Sequence, residues 1–340
     1  MSADPRRPAA TLEQVAAVAG VSRSTVSRVV NGSSAVSPEA LDAVEQAIAA
    51  LDYVPNRAAR TLARRATMAI ALVIPEDTTR FFGDPFFAAI VAGVNDRLSS
   101  TDYVLNLIIA SDDPRDKTSA YVRSGALDGA IVVSHHTSDR FVDRIAASVP
   151  VVFGGRPART RGDEYYVDVD NVEAGRSAVA HLVARGCRRI ATVTGPLGMP
   201  AGVDRATGYR EALAAAGLEP WAVEEGDFSA DGGAAAMRRI LASSGDASRP
   251  DAVFVASDLM ARGAMEVLAA AGLRVPADVA VIGVDDSAVA TAAQPYLTTV
   301  RQPSRAQGEA MAEVLLARLA GGTPPYATVL GTELVVRESA

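Results

Sequence analysis

The sequence predicts a small all-α head followed by a larger α/β body of two lobes, with parallel, doubly wound sheets. Three observations carry this prediction. Between residues 11 and 51, apolar positions recur at helical spacing in three short blocks. From Met68 the pattern changes to short apolar runs alternating with helical stretches. That rhythm continues for about 270 residues, too many for one small doubly wound sheet and natural for two layered units.

In the head, Thr11 can cap a first helix, and Gln14 three residues later completes a capping box. Leu12, Val15, Ala16 and Ala19 then share one face. Gly20 ends that helix in a tight turn. Ser22 can cap a second helix, with Val26, Val29 and Val30 facing inward. Ser37 can cap a third, with Pro38 at the first position, where a missing N–H is harmless. Leu41, Val44, Ile48 and Leu51 form its expected apolar stripe. Two short helices across a glycine-containing turn make a helix-turn-helix arrangement. Its second helix would present Arg23, Ser24, Thr25, Ser27 and Arg28 outward. Arginine can pair bidentately with guanine in the major groove, and Ser and Thr can contact bases or phosphates. Periodicity alone fits equally well a small helical subdomain with a solvated polar face.

In the body, the expected strands are Ala69–Ile74, Val104–Ile109, Ala130–Val133, Val151–Phe153, Ile190–Thr194, Ala252–Ala256 and Val279–Val284. Between them lie helical stretches such as Phe86–Leu98, Val172–Ala184, Arg205–Ala216, Ala234–Leu241, Leu259–Ala271 and Arg305–Leu319. Strands bracketed by helices imply parallel sheets covered on both faces.

The net charge is −7, yet residues 1–65 carry +2 and the remainder −9. A slightly basic head on an acidic body is consistent with local contact to nucleic acid. The longest apolar stretches, such as Met68–Ile74, are too short to cross a bilayer. The N-terminus lacks a charged-then-apolar export pattern. Cys187 is the only cysteine, so no intrachain disulfide can form. Together these lead us to expect a cytoplasmic protein.

Specific residues go further than pattern. The run TLEQVA at residues 11–16, AGVSRSTVSRVVN at 19–31, VSP at 36–38 and LDYVPNR at 51–57 closely resembles the LacI/GalR family of bacterial transcription regulators. The match is dense over about fifty residues. The resemblance implies that the second helix reads an operator half-site. Arg23 and Ser24 occupy the variable positions that set sequence preference, while Thr25, Ser27, Arg28 and Asn31 match commoner contact and positioning residues. Thr11, Leu12, Asn56 and Arg57 complete the expected DNA-contacting set. Residues 56–65 (NRAARTLARR) would by themselves read as a basic tether. The resemblance implies instead a hinge helix that orders on operator DNA, with Leu62 wedged into the minor groove, a device that kinks the duplex. Arg57, Arg60, Arg64 and Arg65 would then lie near phosphates and make binding steeply salt-dependent. Paired hinges require a homodimer on a near-palindromic site. No heptad segment follows Arg337 to suggest a tetramer. Arg6 and Arg7 are expected in a disordered tail.

The body likewise resembles the periplasmic-binding-protein-like sensor domain of that family. This implies two similar lobes joined by three crossovers, expected near Val167–Asp170, Thr298–Pro303 and Ala327–Leu330. The expected division is a tail over 1–10, a helix-turn-helix domain over 11–55, a hinge over 56–66 and the effector-binding body over 68–340. Within the body, the first lobe would take about 68–166 and 300–327, the second about 168–298 and 328–340. Ligand would bind between the lobes, outside the carboxyl ends of the strands, and hinge closure on it would be the switch.

Arg205, in DRATGY, matches an arginine that grips the effector, and its fork can bind several hydroxyls at once. Asp285, in VIGVDD, matches an aspartate that accepts hydroxyl hydrogen bonds. Phe228 matches an aromatic that stacks on the effector ring. Ser257 stands where many members have Asn and offers one hydroxyl instead of a two-ended amide. The segment FFGDPFF at 81–87 is expected as a pocket-rim loop, longer than the usual Asn-Pro-Phe-Phe. Asp84 and Phe86 on it are expected contacts, as is Arg156 on the loop after Phe153. An arginine, aspartates and a stacking aromatic suit a carbohydrate, with a purine or another metabolite as the alternative. Repression is the implied role and activation the alternative.

An enzyme is the main competing class, but the required motifs are missing. No phosphate-binding glycine loop and no G-x-S-x-G elbow occurs. His135 and His136 are adjacent and would point apart on a strand, so neither a metal site nor any cofactor is expected. An exported sugar-binding protein would not need the DNA-reading head.

Overall fold

A computed structural model describes residues 10–30, 35–53, 66–111, 113–159, 162–243 and 249–340. The chain divides into two compact units, Met1–Met68 and Ala69–Ala340.

The smaller unit is helical. Helix α1 (Leu12–Ala19) begins in a complete capping box: Gln14 N–H donates to Thr11 Oγ1, and Thr11 N–H donates to Gln14 Oε1 at 2.8 Å. Gly20 closes it in the left-handed region, at φ 68°. Helix α2 (Arg23–Val30) starts where Thr25 N–H donates to Ser22 Oγ. Helix α3 (Pro38–Leu51) has Ser37 as its cap and Pro38 in its first turn. Val15, Ala16, Val26, Val44, Ala47 and Tyr53 form the core. The expected stripe of α3 is shifted: Val44 and Ala47 are buried and Leu41 is exposed.

The larger unit holds two six-stranded sheets. The first runs in the order β11-β5-β4-β3-β1-β2, with β1 Ala69–Ile74, β2 Val104–Ile109, β3 Gly129–Val133, β4 Val151–Gly154, β5 Tyr165–Val169 and β11 Ala327–Leu330. The second runs β12-β10-β9-β8-β6-β7. Its strands are β6 Ile190–Thr194, β7 Val223–Glu225, β8 Ala252–Val255, β9 Ala280–Asp285, β10 Thr298–Arg301 and β12 Glu333–Val335. Every pairing is parallel except β10 with β12. Short β12 follows β11 by two residues and turns back along β10, which explains the exception. In each sheet the strand order reverses direction beside the first strand of its lobe, β1 or β6, and such switch points open crevices at the carboxyl ends.

Helices cover both faces of each sheet: α4 Thr78–Gly83, α5 Pro85–Leu98, α6 Lys117–Tyr121, α7 Arg140–Ala146 and α12 Ser304–Leu319 with the first; α8 Asn171–Ala184, α9 Pro200–Ala215, α10 Ala230–Ser243 and α11 Asp258–Ala270 with the second. Each lobe therefore has two apolar layers, one on each side of its sheet.

The chain crosses between lobes after Val169, between Arg301 and Ser304, and between Leu330 and Glu333. Three lobe boundaries need correction. Asp168 and Val169 complete β5 in the first lobe, since β11 pairs with β5 as far as Val169. Val300 and Arg301 belong to the second lobe, paired with Val284 and Asp285. Residues 328–330 stay with the first lobe, because β11 pairs through Leu330. The rim segment 81–87 is also not a loop. Asp77 caps α4, and Asp84 caps α5 by accepting from Phe86 N–H.

Candidate functional site

The cleft between the lobes collects the carboxyl ends of strands from both sheets. Its wall includes Arg80, Asp84, Phe86, Ser134 and His135 from the first lobe and Met199, Arg205, Phe228, Ser257 and Asp285 from the second. Asp168, Asn171, Gln302 and Gln307 come from the crossing segments and from α12. The space between these walls is about 680 Å³ with the open mouth included. All seven body residues singled out from sequence, Asp84, Phe86, Arg156, Arg205, Phe228, Ser257 and Asp285, line this one cleft.

Arg205 sits on α9, and only 4% of it is exposed. Its Nε donates to Asn171 Oδ1 at 2.9 Å, Nη1 to the Ala256 carbonyl at 2.6 Å and Nη2 to Gln302 Oε1 at 3.2 Å. Gln302 in turn donates to Asp285 Oδ1 at 2.5 Å. One guanidinium thus ties the first crossing, the second crossing and the end of β8. Asp285 also accepts from Asp258 N–H, and it holds a left-handed φ of 129°. Asp168 accepts from the backbone N–H groups of Val169 and Arg156 and from Asn171 Nδ2. Ser257 caps α11, accepting from Met260 N–H at 3.3 Å, and keeps its own hydroxyl proton to donate. Arg156 grips Asp204 across the cleft with both contacts at 2.7 Å.

Sequence reasoning missed Arg80, His135, Asp168, Asn171, Gln302 and Gln307. Arg80 reaches across the cleft to the Phe228 carbonyl at 2.5 Å, pairs with Asp84 at 3.3 Å and lies against the rings of Phe87 and Phe228. Its signal was present, because Asp77-Thr-Thr-Arg is a helix start, but the segment reads as loop beside Gly83 and Pro85. His135 and His136 do not alternate on a strand; they lie beyond the end of β3. His135 is buried in the cleft wall, whereas His136 pairs with Glu76 at 3.2 Å, which raises its pKa.

The electrostatics are strongly acidic. Burial pushes Asp84, Asp168 and Asp285 above the usual carboxylate range, Asp285 furthest, with Asp258 adding to its shift. Burial raises Asp258, directly behind Asp285, to about 7. Burial lowers Arg205, and these four carboxylates work against that shift. Four carboxyl groups thus surround the buried Arg205 and the half-buried Arg80, and an anionic ligand would be opposed by each of them that is ionised. Hydroxyl groups, which donate to carboxylates and accept from Arg205, suit it. Among the described residues no cluster of three or more metal-ligating side chains occurs, and no helix is long and apolar enough to cross a membrane.

On the head, Arg23, Ser24 and Arg28 are exposed along α2, with Thr25 and Ser27 half-buried beside them. Arg23 pairs loosely with Glu13 at 3.1 Å, an exposed contact open to exchange. Ser22 Oγ lies 2.8 Å from Ser24 Oγ and 2.9 Å from Thr25 Oγ1. Thr11 is exposed at the start of α1, and Leu12 is half-buried against the head core. Asn31, Asn56, Arg57 and Leu62, with the expected hinge, lie outside the described residues.

A helix-turn-helix unit joined to a two-lobed body with a polar interlobe cleft defines a ligand-responsive DNA-binding regulator. The model of the bacterial regulatory proteins of the lacI family matches residues 11–56, and that of the periplasmic binding protein-like domain matches 179–340. The HTH-type transcriptional regulator CelR of Thermobifida fusca is 48% identical over 98% of both chains. A solved transcriptional regulator CelR–cellobiose complex superposes with a TM-score of 0.77 at 46% identity, covering 98% of this chain and 100% of that one. The lac repressor dimer bound to operator and the anti-inducer ONPF superposes with a TM-score of 0.84 at 31% identity, covering 97% and 99%. The chain belongs to the lacI family of bacterial regulatory proteins.

Proposed function

We propose that this protein is a homodimeric transcription repressor whose affinity for a near-palindromic operator is controlled by an uncharged saccharide of the cellobiose class. It acts in the cytoplasm, by binding and not by catalysis. The observation that carries the saccharide reading is the cleft's group of buried carboxyls around Arg205, whose guanidinium has three of its five N–H groups bonded to protein. Such a site favours a hydroxyl-rich neutral ligand over a sugar phosphate, and Phe228 contributes an aromatic ring to its lining. The similarity to a regulator solved with cellobiose supports the same class. Arg205, Asp285, Phe228, Ser257, Asp84, Phe86 and Arg156 are the proposed effector contacts. Arg23, Ser24, Thr25, Ser27 and Arg28 are the proposed readers of the half-site, with Thr11, Leu12, Asn31, Asn56, Arg57 and Leu62 supporting them.

The test is thermal unfolding of the full chain with cellobiose, glucose, sugar phosphates and purines, paired with fluorescence anisotropy on operator DNA. Saturation at 100 times the dissociation constant adds about 2.7 kcal/mol, a shift of a few degrees, and the same compound should change operator affinity. Arg205→Ala and Asp285→Ala should abolish both effects. A response to purines alone would reject the saccharide.

A further inference from the structure

The buried polar groups of the cleft are nearly all paired, with two exceptions. Among the described residues, the buried side-chain atoms without a partner include His135 Nδ1 and Gln307 Oε1, and of those residues only these two line the cleft. His135 is 6% exposed and Gln307 4%.

The hydrogen-bonding sense of each atom is fixed by its neighbour. Ala158 N–H donates to His135 Nε2 at 3.2 Å, so that nitrogen carries no proton. A neutral imidazole has one N–H, which places it on Nδ1 as a donor. Burial, with a smaller push from His136 and a smaller opposing one from the nearby Arg156 backbone, lowers the pKa of His135 to about 4 and keeps the ring neutral. Phe153 packs on the ring at 5.1 Å and holds its plane. In Gln307, Nε2 donates to the Val167 carbonyl at 3.0 Å, which leaves Oε1 as an acceptor. One buried donor and one buried acceptor therefore stand unpaired on the first-lobe side of the cleft.

We propose that His135 and Gln307 form a hydroxyl-recognition subsite in which the ligand accepts from Nδ1–H and donates to Oε1. A hydroxyl does both without carrying charge. A carboxylate or phosphate could accept from His135 but would face Gln307 Oε1 and the buried Asp168. An ammonium could serve Gln307 but would meet the imidazole N–H. The inference rests on the saccharide reading and deepens it, because it adds a specific donor–acceptor pair for hydroxyls to the first-lobe side of the cleft.

The experiment uses the full chain, cellobiose and its monodeoxy derivatives in titration calorimetry. His135→Gln places an amide near Nε2 and removes the δ donor, whereas His135→Asn keeps a donor at the δ position. Gln307→Met removes the acceptor at similar volume, and the Val167 carbonyl retains its bond from Gly155 N–H. We expect His135→Gln and Gln307→Met to weaken cellobiose about tenfold or more and His135→Asn less than about threefold. Operator affinity without sugar should be unchanged in all three, which excludes misfolding. One deoxy derivative should bind the wild type about tenfold more weakly than cellobiose, yet bind the two damaged variants as well as cellobiose does. If cellobiose binds the wild type and both damaged variants within about twofold, the subsite is wrong and the saccharide reading stands. If neither cellobiose nor any other uncharged saccharide binds the wild type, the parent reading falls and takes this inference with it.

Discussion

Single residues in this cleft are held by neighbours that never touch a ligand. Phe228 keeps a left-handed φ of 64° and sits over the backbone of Gly195, where a Cβ would lie 2.2 Å from its Cζ. Gly195→Ala must therefore displace the ring. We expect loss of saccharide affinity of about tenfold or more, with about 1–3 kcal/mol of destabilisation, measured by titration and melting. An unmoved affinity would mean that the ring does not contact ligand. Asp258 gives a second case, this one read through pH. Its carboxylate accepts from Thr299 Oγ1 at 2.6 Å and from Ser287 N–H at 3.0 Å, yet burial still raises its pKa to about 7. The folded protein then holds this proton more tightly than the unfolded chain. The resulting stability is fully present below about pH 4 and is lost as pH rises through about 7. Asp258→Asn should melt lower at every pH, since one acceptor is lost, but its melting temperature should fall less between pH 5 and 8, by about 2–3 °C. Parallel curves for wild type and variant would show that Asp258 does not titrate in that window.

At the scale of elements, the effector arginine is placed by helix packing. Helices α8 and α9 approach so closely that a Cβ on Gly175 would lie 2.2 Å from the Arg205 carbonyl, and one on Gly208 would lie 2.0 Å from that of Val172. Gly175→Ala should push α9 outward and pull Arg205 from Asn171. The expectation is a stability loss of about 2–3 kcal/mol with saccharide affinity reduced in proportion to the lost Arg205 contacts, measured by denaturant unfolding and calorimetry. Sequence makes much of this level legible. The helical stretches expected from sequence match α5, α8 and α12 almost to their ends, and the fully buried strand β1 is a plain run of apolar residues. What stays hidden has a physical reason in each case. Strands β5, β7, β11 and β12 mix polar with apolar residues because they lie toward sheet edges. Their pairing is decided by distant segments, as when β11 joins β5 across more than 150 residues of chain. Asp168, Asn171 and Gln302 escape sequence reasoning for the same reason: they matter because the crossings bring them to Arg205, and no local spacing records that. His135 and Gln307 are ordinary residues until their neighbours fix their hydrogen-bonding sense.

For the body as a whole, three chain crossings leave the lobes free to swing, and a few contacts across the cleft oppose opening. Arg156 on the first lobe pairs with Asp204 on the second, Arg80 donates to the Phe228 carbonyl, and Thr137 N–H donates to the Gly198 carbonyl at 3.2 Å. Opening the cleft must break all three, so they should slow ligand escape more than they slow entry. Arg80 is a poor single test, because it also faces the ligand space and its loss would alter both rates. Asp204 separates the two effects better, since it holds Arg156 without itself lining the ligand space. The Arg156 side chain is 48% exposed, so solvent and salt screen the pair and its contribution is small. We expect Asp204→Ala to raise the saccharide dissociation rate about threefold in stopped-flow measurements at low salt, with the association rate nearly unchanged, and Arg156→Ala, which also removes a proposed effector contact, to raise it at least as much. The double variant should be no faster than Arg156→Ala alone, because the same ion pair is removed. The difference from wild type should shrink as ionic strength rises. Additive effects in the double variant, or a change confined to the association rate, would show that the two residues act separately and that the ion pair does not hold the lobes together.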